Sequence, residues 1–156
     1  MILRHARYRM RAVPPPLITA PADDADGPPS LVSVVDADSV VRQRVAVILR
    51  GIGAEVSEYS TALEFLRMLP VSMPVFVIAG TRLADLTGLA LLQELRGRGL
   101  EIPLILLSPE PDIAAAVIAI RAGALDFIEP IDVERMLPAQ VTPFLTRYVR
   151  RTPPRP

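Results

Sequence analysis

The chain has 156 residues, which is enough for one domain with a substantial core and for tails at its ends. It contains no cysteine, which excludes disulfides, thiolate metal sites and thiol nucleophiles, and no lysine, which excludes any mechanism that needs one. Seventeen arginines balance 17 acidic residues, but four arginines lie in residues 1–11 and four in residues 147–156, so the ends are basic and the body is acidic.

No apolar run approaches the roughly 20 residues of a membrane span, and residues 1–16 lack the apolar core of a signal peptide. We therefore expect a cytoplasmic protein without a membrane partner. Residues 1–30 and 151–156 are rich in proline, and neither segment can bury enough apolar surface to offset its ordering entropy. Both are expected to be disordered tails around a folded domain at residues 31–150.

The folded domain begins with a short apolar run, Leu31–Val35, which predicts a buried strand. A helix follows, capped by Asp38 or Ser39 and ending at Gly51–Gly53. Ala54–Tyr59 shows a weaker alternation of apolar and polar residues and is predicted as the second strand.

The next helix opens at Ser60 or Thr61 and is stopped by Pro70. Val75–Ala79 is an uninterrupted apolar run and predicts the third strand. Gly88–Arg96 predicts the third helix, with its leucines facing inward.

Pro103–Leu107 predicts the fourth strand, Asp112–Arg121 the fourth helix and Leu125–Ile128 the fifth strand. Five strands that alternate with helices predict an α/β fold, a doubly wound parallel sheet with helices on both faces. Most of these strands are continuously apolar, which agrees with burial on both sides of the sheet.

The last predicted helix, Asp132–Arg151, contains Pro138 and Pro143. Each proline lacks a backbone donor and clashes with the preceding helical turn. We therefore expect this helix to be kinked or broken.

In doubly wound sheets the active crevice lies at the carboxyl ends of the strands. Four residues of this chain fall at these predicted ends, and they are separated by 44, 28 and 22 residues. In chain order they are Asp36, Gly80, Ser108 and Pro130.

Three segments near these ends resemble the receiver domains of bacterial two-component response regulators. Residues 34–38 (Val-Val-Asp-Ala-Asp) resemble the acidic cluster after the first strand, and residues 83–88 (Leu-Ala-Asp-Leu-Thr-Gly) resemble the loop before the third helix. Residues 121–130 (Arg-Ala-Gly-Ala-Leu-Asp-Phe-Ile-Glu-Pro) are similar to receivers of the nitrogen-fixation regulator type. The resemblance covers roughly residues 31–148 and implies a flavodoxin-like sheet with strand order 2-1-3-4-5.

The family implies an attacking aspartate, a magnesium ion held by further acids, a lysine, and a hydroxyl that bonds the phosphoryl oxygen. In this chain Gly80 replaces the attacking aspartate, Ala37 the second acid and Pro130 the lysine. The first acid, Asp36, and the hydroxyl of Ser108 remain. A glycine has no nucleophile, and one carboxylate is too few for magnesium. The pocket is expected to be degenerate, with no metal, cofactor or catalytic residue, and the chain is not expected to be an enzyme.

The remaining residues also have simpler interpretations. Asp36 is expected to be solvated at the end of its strand rather than to bind a ligand, and a pairing of Asp36 with Arg82 is a further hypothesis. Ser108 either acts as the switch hydroxyl of the family or only bonds local backbone. Phe127 matches the family's switch aromatic, although an aromatic residue in the fifth strand usually only packs.

The fourth predicted helix has no polar side chain from residue 113 to residue 120. Its outer side would form an apolar patch with Ile113, Val117, Ile118 and Ile120, which favours an interface over cover by the tails or by the last helix. In receivers the face made by the fourth helix, the fifth strand and the fifth helix often forms homodimers, so a homodimer through this face is the first expectation.

These observations favour a pseudo-receiver, an atypical receiver that acts by protein contact and independently of phosphorylation. Its expected partner is a histidine kinase, another regulator or a second copy of the chain. Two alternatives stay open. A small molecule could fill the space left by Gly80 and Ala37, or the arginine-rich ends could bind nucleic acid. Nucleic acid is disfavoured because the ends have few aromatic residues and no helix-turn-helix is recognisable.

Overall fold

The computed structural model describes residues 30–110 and 112–145. Outside the described residues lie residues 1–29 of the tail predicted over residues 1–30, the predicted tail at residues 151–156 and the end of the last predicted helix, residues 146–151. Over the described ranges, no helix is long and apolar enough to cross a bilayer.

Strands and helices alternate along the described residues in the predicted order, and most ends shift by only one or two residues. In chain order the elements are β1 (Leu31–Val35), α1 (Ser39–Gly51), β2 (Glu55–Tyr59), α2 (Ala62–Met68), β3 (Phe76–Gly80), α3 (Gly88–Gly97), β4 (Leu104–Leu107), α4 (Ile113–Arg121), β5 (Asp126–Ile128) and α5 (Val133–Leu145), with a short 3-10 helix, Pro130–Asp132, directly before α5.

Polar side chains fix where the helices begin, because the first N–H groups of a helix have no partner within it. The Asp38 carboxylate accepts hydrogen bonds from the N–H groups of Val40 and Val41 and so caps α1. The caps of α2, α3 and α4 are Thr61, Thr87 and Asp112.

The strands form one sheet in the order β2-β1-β3-β4-β5, and every neighbouring pair is parallel, which confirms the predicted fold. In this register Val35 pairs with Tyr59 and Ala79, while Gly80 pairs with Leu107. The carboxyl ends of β1, β3 and β4 therefore lie side by side at one edge of the sheet, which we call the carboxyl edge.

Both faces of the sheet are covered by helices. One apolar core joins strand residues such as Phe76 and Ile78 to buried residues of α1 and α5, including Leu49 and Leu137. The other core lies under α2, α3 and α4 and includes their buried residues Phe65, Leu91, Leu95 and Ala119.

The expectation that the last helix is broken is wrong over the described residues. Over the described residues, α5 runs without interruption through Pro138 and Pro143. Each proline removes a single donor at a cost of about 3 kcal/mol. The apolar stripe of α5 is buried against the sheet, and Phe144 contacts Phe76 edge to face with 5.1 Å between ring centroids. We attribute the continuity of the helix to this packing, while a bend at either proline stays a prediction.

Candidate functional site

An open depression lies at the carboxyl edge, where the loops after β1, β3, β4 and β5 meet. Its lining brings together four of the five residues of the predicted degenerate pocket, whereas Ser108 is not part of the lining. The four are Asp36, Ala37, Gly80 and Pro130. We call this feature the edge depression.

The carboxylate of Asp36 lies directly against the main chain of Gly80. A Cβ atom built on Gly80 would stand 2.6 Å from Oδ2 of Asp36 and 2.9 Å from its Cγ, far inside van der Waals contact. Asp36 is only 8% exposed, and Gly80, the last residue of β3, is also buried. The Asp36 carboxylate therefore occupies the space in which any side chain at position 80 would begin.

The prediction that Asp36 is solvated is consequently wrong. Because Gly80 has no side chain, the Asp36 carboxylate fits beside β3 instead of extending into water. The N–H of Asp38 donates a hydrogen bond of 2.9 Å to Oδ1, which fixes the orientation of the carboxylate.

Burial raises the pKa of Asp36, and the negative charge of Asp38 raises it further. The hydrogen bond from the Asp38 N–H and the positive charge of Arg42 act in the opposite direction without cancelling the rise in pKa. The Arg42 guanidinium itself donates to the backbone carbonyl of Asp36 at 2.7 Å and lies 3.5 Å from Glu58. Arg42 thus anchors the end of β1 rather than forming an ion pair with the Asp36 carboxylate.

The hypothesis that Arg82 pairs with Asp36 is also wrong. Arg82 contributes to the lining of the edge depression, but its guanidinium pairs with Glu110 at 3.2 Å. Both side chains are about 70% exposed, at 72% and 69%. An exposed partner lets the guanidinium stay hydrated, whereas pairing with a buried carboxylate would require desolvation.

The hydroxyl of Ser108 bonds local backbone, as the simpler interpretation predicted. Its hydroxyl donates to the carbonyl oxygen of Glu110 at 3.0 Å and accepts from the N–H of Glu110 at 3.3 Å. Ser108 is 7% exposed, and its own N–H donates to the carbonyl of Ile128. These bonds connect β4 to β5 and hold the start of the loop before α4.

Phe127 is buried in the core beneath α2, α3 and α4, together with residues such as Leu106 and Ala119. This position confirms the packing interpretation, while a switch role for Phe127 stays a prediction.

The donor set of the edge depression does not fit magnesium. Magnesium requires a nearly octahedral set of oxygen ligands around strong negative charge. Ala37 and Gly80 supply no carboxylate, and one carboxylate oxygen of Asp38 is engaged in capping α1. Among the described residues, no group of three or more Asp, Glu, His or Cys side chains is arranged to hold a metal ion.

The sequence did not reveal the role of Asp85, which lies in the loop between β3 and α3. Its carboxylate accepts hydrogen bonds of 2.9 Å from the N–H groups of Ala62 and Leu63, at the start of α2. These bonds lower the pKa of Asp85. The Asp-x-x-Gly pattern signalled that this loop was special, but its partners, more than 20 residues earlier, could not be inferred from it.

The predicted apolar patch on α4 is smaller than expected. Ile113 and Ile118 are exposed, at 66% and 54%, and Val117 is half-buried. Ile120 instead packs against the core beneath the helix, because it lies one turn from Ala116 on the side that faces the sheet. The outer face of α4 therefore consists of Ile113, Ala114 and Ile118, with Val117 at its border.

Comparison with known proteins agrees with this geometry. Residues 32–139 match the model of the response regulator receiver domain family. The response regulator protein TodT of Pseudomonas putida is 34% identical over 111 residues, which cover 70% of this chain and 49% of TodT. The transcriptional regulatory protein FixJ of Azorhizobium caulinodans is 34% identical over 105 residues, which cover 65% of this chain and 48% of FixJ.

Among solved structures, a putative response regulator from Chloroflexus aurantiacus superposes with a TM-score of 0.70 at 26% identity. The match covers 76% of this chain and 99% of that structure. The chain spans about half the length of TodT and FixJ, so the likeness concerns their receiver portion. Receiver domains are generally signalling modules of two-component systems and not enzymes. The chain belongs to the response regulator receiver domain family.

Proposed function

We propose that this chain is a pseudo-receiver, a receiver that cannot be phosphorylated and acts in bacterial two-component signalling by binding another protein. The partner is a histidine kinase, another regulator or a second copy of the chain. One observation carries the proposal: the Asp36 carboxylate fills the space where the phosphorylatable side chain of a receiver would begin, against the bare main chain of Gly80.

This position of Asp36 has two consequences for phosphoryl chemistry. Gly80 offers no nucleophile, and a phosphoryl group brought to this point would meet the Asp36 carboxylate without a compensating lysine, because position 130 is proline. Repulsion between the two anions would oppose the reaction even if another acceptor were available.

The direct test is to incubate the full chain with magnesium and a small phosphodonor such as acetyl phosphate, and to measure its intact mass. We expect no mass gain. A receiver with aspartate at the corresponding position serves as the positive control for the donor. Acid-stable or acid-labile addition of one phosphoryl group to this chain would contradict the proposal.

The outer face of α4 is the proposed contact surface, as part of the face formed by α4, β5 and α5. Exposed isoleucines such as Ile113 and Ile118 lose contact with water when a partner covers them, which favours association by roughly 25 cal/mol per Å² of apolar surface buried.

The substitution Ile118→Arg is expected to abolish this contact, because it places an unpaired charge in the apolar patch. If the contact is a homodimer, light scattering at matched concentration should give a dimer mass for the native chain and a monomer mass for Ile118→Arg. The matched control is Val47→Arg, which changes another exposed apolar residue, on α1. An equal loss in both variants, or no loss in either, would refute α4 as the homodimer surface.

The two alternative functions receive less support. The edge depression has a volume of about 160 Å³, below the roughly 300–1,000 Å³ of sites for drug-sized ligands, and the space above Gly80 is already filled by Asp36. The described residues carry 14 acidic side chains against nine arginines, a balance that repels nucleic acid. The arginine-rich ends lie outside the described residues.

A further inference from the structure

We propose that the edge depression receives the cationic end of an arginine or lysine side chain of the partner protein. This inference deepens the proposed function, on which it rests, by naming the chemistry that the partner brings to the carboxyl edge. It depends on three features of the depression: a carboxylate without a cationic partner among the described residues, apolar walls, and a volume that suits the end of a side chain.

The buried carboxylate is that of Asp36. Its Oδ1 accepts a hydrogen bond from the N–H of Asp38, whereas Oδ2 accepts none from the described residues. More than nine-tenths of Asp36 is buried, and the residue lines the depression. Oδ2 is not among the fully buried side-chain atoms of the described residues that lack a partner, so it is accessible from the depression, and a cation that reached it would gain a charge-assisted hydrogen bond.

The arginines near Asp36 leave its carboxylate without a cationic partner. Arg42 is bonded to the Asp36 carbonyl oxygen, and Arg82 is paired with Glu110. Asp38 adds a second, exposed carboxylate to the lining, so the local charge is negative. The site therefore attracts positive charge that the described part of the chain does not supply.

The walls of the depression decide which kind of cation fits. Val41, Leu107, Pro109 and Pro130 line it with apolar surface beside the two carboxylates. Arginine and lysine combine an aliphatic stem with a charged tip, so the stem can pack on such walls while the tip reaches the acid. Magnesium lacks such a stem and needs more oxygen ligands than the described side chains provide.

The size of the depression agrees with a single side chain. A volume of about 160 Å³ suits the end of one arginine or lysine side chain and is below that of sites for drug-sized ligands. Because the depression is open, a side chain can enter from a protein surface laid against the carboxyl edge.

The test uses two probes, methylguanidinium chloride and the peptide acetyl-Gly-Arg-Gly-amide, titrated into the full chain at constant ionic strength. We expect saturable shifts of the backbone amide signals of Ala37, Gly80 and Thr81, with dissociation constants on the order of millimolar. The variant Asp36→Asn, which keeps an acceptor for the Asp38 N–H, should bind both probes at least about tenfold more weakly.

Two further variants serve as controls. Glu55→Gln removes an exposed carboxylate at the start of β2, where the amino ends of the strands lie and far from the depression at their carboxyl ends. This substitution should leave the titration unchanged. Asp38→Asn keeps a residue that caps helices well and should weaken binding less than Asp36→Asn does. It also provides a readout if Asp36→Asn fails to fold.

Several outcomes would overturn the inference. They are the absence of saturable shifts, equal binding by Asp36→Asn and the native chain, and saturation of the same amides by magnesium at lower concentration than by the peptide. Binding of methylguanidinium without binding of the peptide would assign the site to a free small cation and not to a partner's side chain. None of these results affects the acetyl phosphate test, so failure of the inference is distinguishable from failure of the proposed function.

Discussion

The contact between Asp36 and Gly80 makes a quantitative prediction for the substitution Gly80→Ala. Gly80 does not have a positive φ, so alanine is allowed by the backbone, and the only obstacle is space. The new Cβ would lie 2.6 Å from Oδ2 and 3.1 Å from Oδ1 of Asp36, on a carboxylate held by the Asp38 N–H.

Overpacking of this kind costs about 1–3 kcal/mol of the free energy of unfolding. The matched control is Gly97→Ala in α3, where a Cβ would meet no atom within 4 Å. At such an open site alanine is expected to stabilise the protein by about 0.4–1 kcal/mol. The two variants therefore make the same chemical change with opposite expected signs.

A double-mutant cycle assigns the cost to the carboxylate. Asp36→Ala removes the three atoms nearest to the new Cβ, so Gly80→Ala should become nearly neutral in that background, with a coupling of about 1 kcal/mol or more. Urea unfolding followed by circular dichroism gives the four free energies. A neutral Gly80→Ala, or effects that add within about 0.5 kcal/mol, would refute the placement of the Asp36 carboxylate.

Three other substitutions test the electrostatics and the core. Because burial raises the pKa of Asp36, its protonation favours the fold, and this contribution is lost as pH rises through the folded-state pKa. Asp36→Asn should therefore gain stability relative to the native chain between acidic and neutral pH, and a constant difference across urea titrations at several pH values would contradict this. The pKa of Asp85 is lowered, so its ionised carboxylate stabilises the fold above the unfolded-state pKa, and this stabilisation is lost as pH falls through the folded-state pKa. Asp85→Asn should therefore destabilise the fold at neutral pH but not below the folded-state pKa of Asp85. The buried hydroxyl of Ser33 has no hydrogen-bond partner among the described residues, so Ser33→Ala should raise the free energy of unfolding by about 1 kcal/mol, and a loss of stability would show that the hydroxyl is paired.

The fold could be predicted from the sequence because its signals are local. The apolar runs of β1, β3 and β4 predicted strands buried on both faces, and the residues before α1 and α2 predicted their caps. Both signals act over a few residues, so they can be read without knowing which elements meet.

The site could be predicted only in outline. The spacing placed Asp36, Gly80 and Pro130 at one edge of the sheet. The position of the Asp36 carboxylate, however, depends on its contact with Gly80, which lies 44 residues later in the chain. The partner of Arg82 likewise depends on the path of the loop after β4, which brings Glu110 within reach. Interactions set by tertiary packing are not encoded in local pattern.

The continuity of α5 also depends on tertiary packing and could not be predicted from the local sequence. Pro138 and Pro143 predict interruption when the local cost is considered alone. The burial of Leu137, Val141 and Leu145 against the sheet favours the unbroken helix, and that burial is known only once the helix is placed.

The most direct test of the central claim is to add magnesium and beryllofluoride, a mimic of the phosphoryl group, to the full chain and to record backbone NMR shifts at Asp36, Gly80 and Ser108. Because the Asp36 carboxylate occupies the acceptor's space, we predict no saturable shift at any of the three. Saturable shifts centred on Gly80 would show that the pocket still accepts a phosphoryl group, and the account of a degenerate site would be wrong.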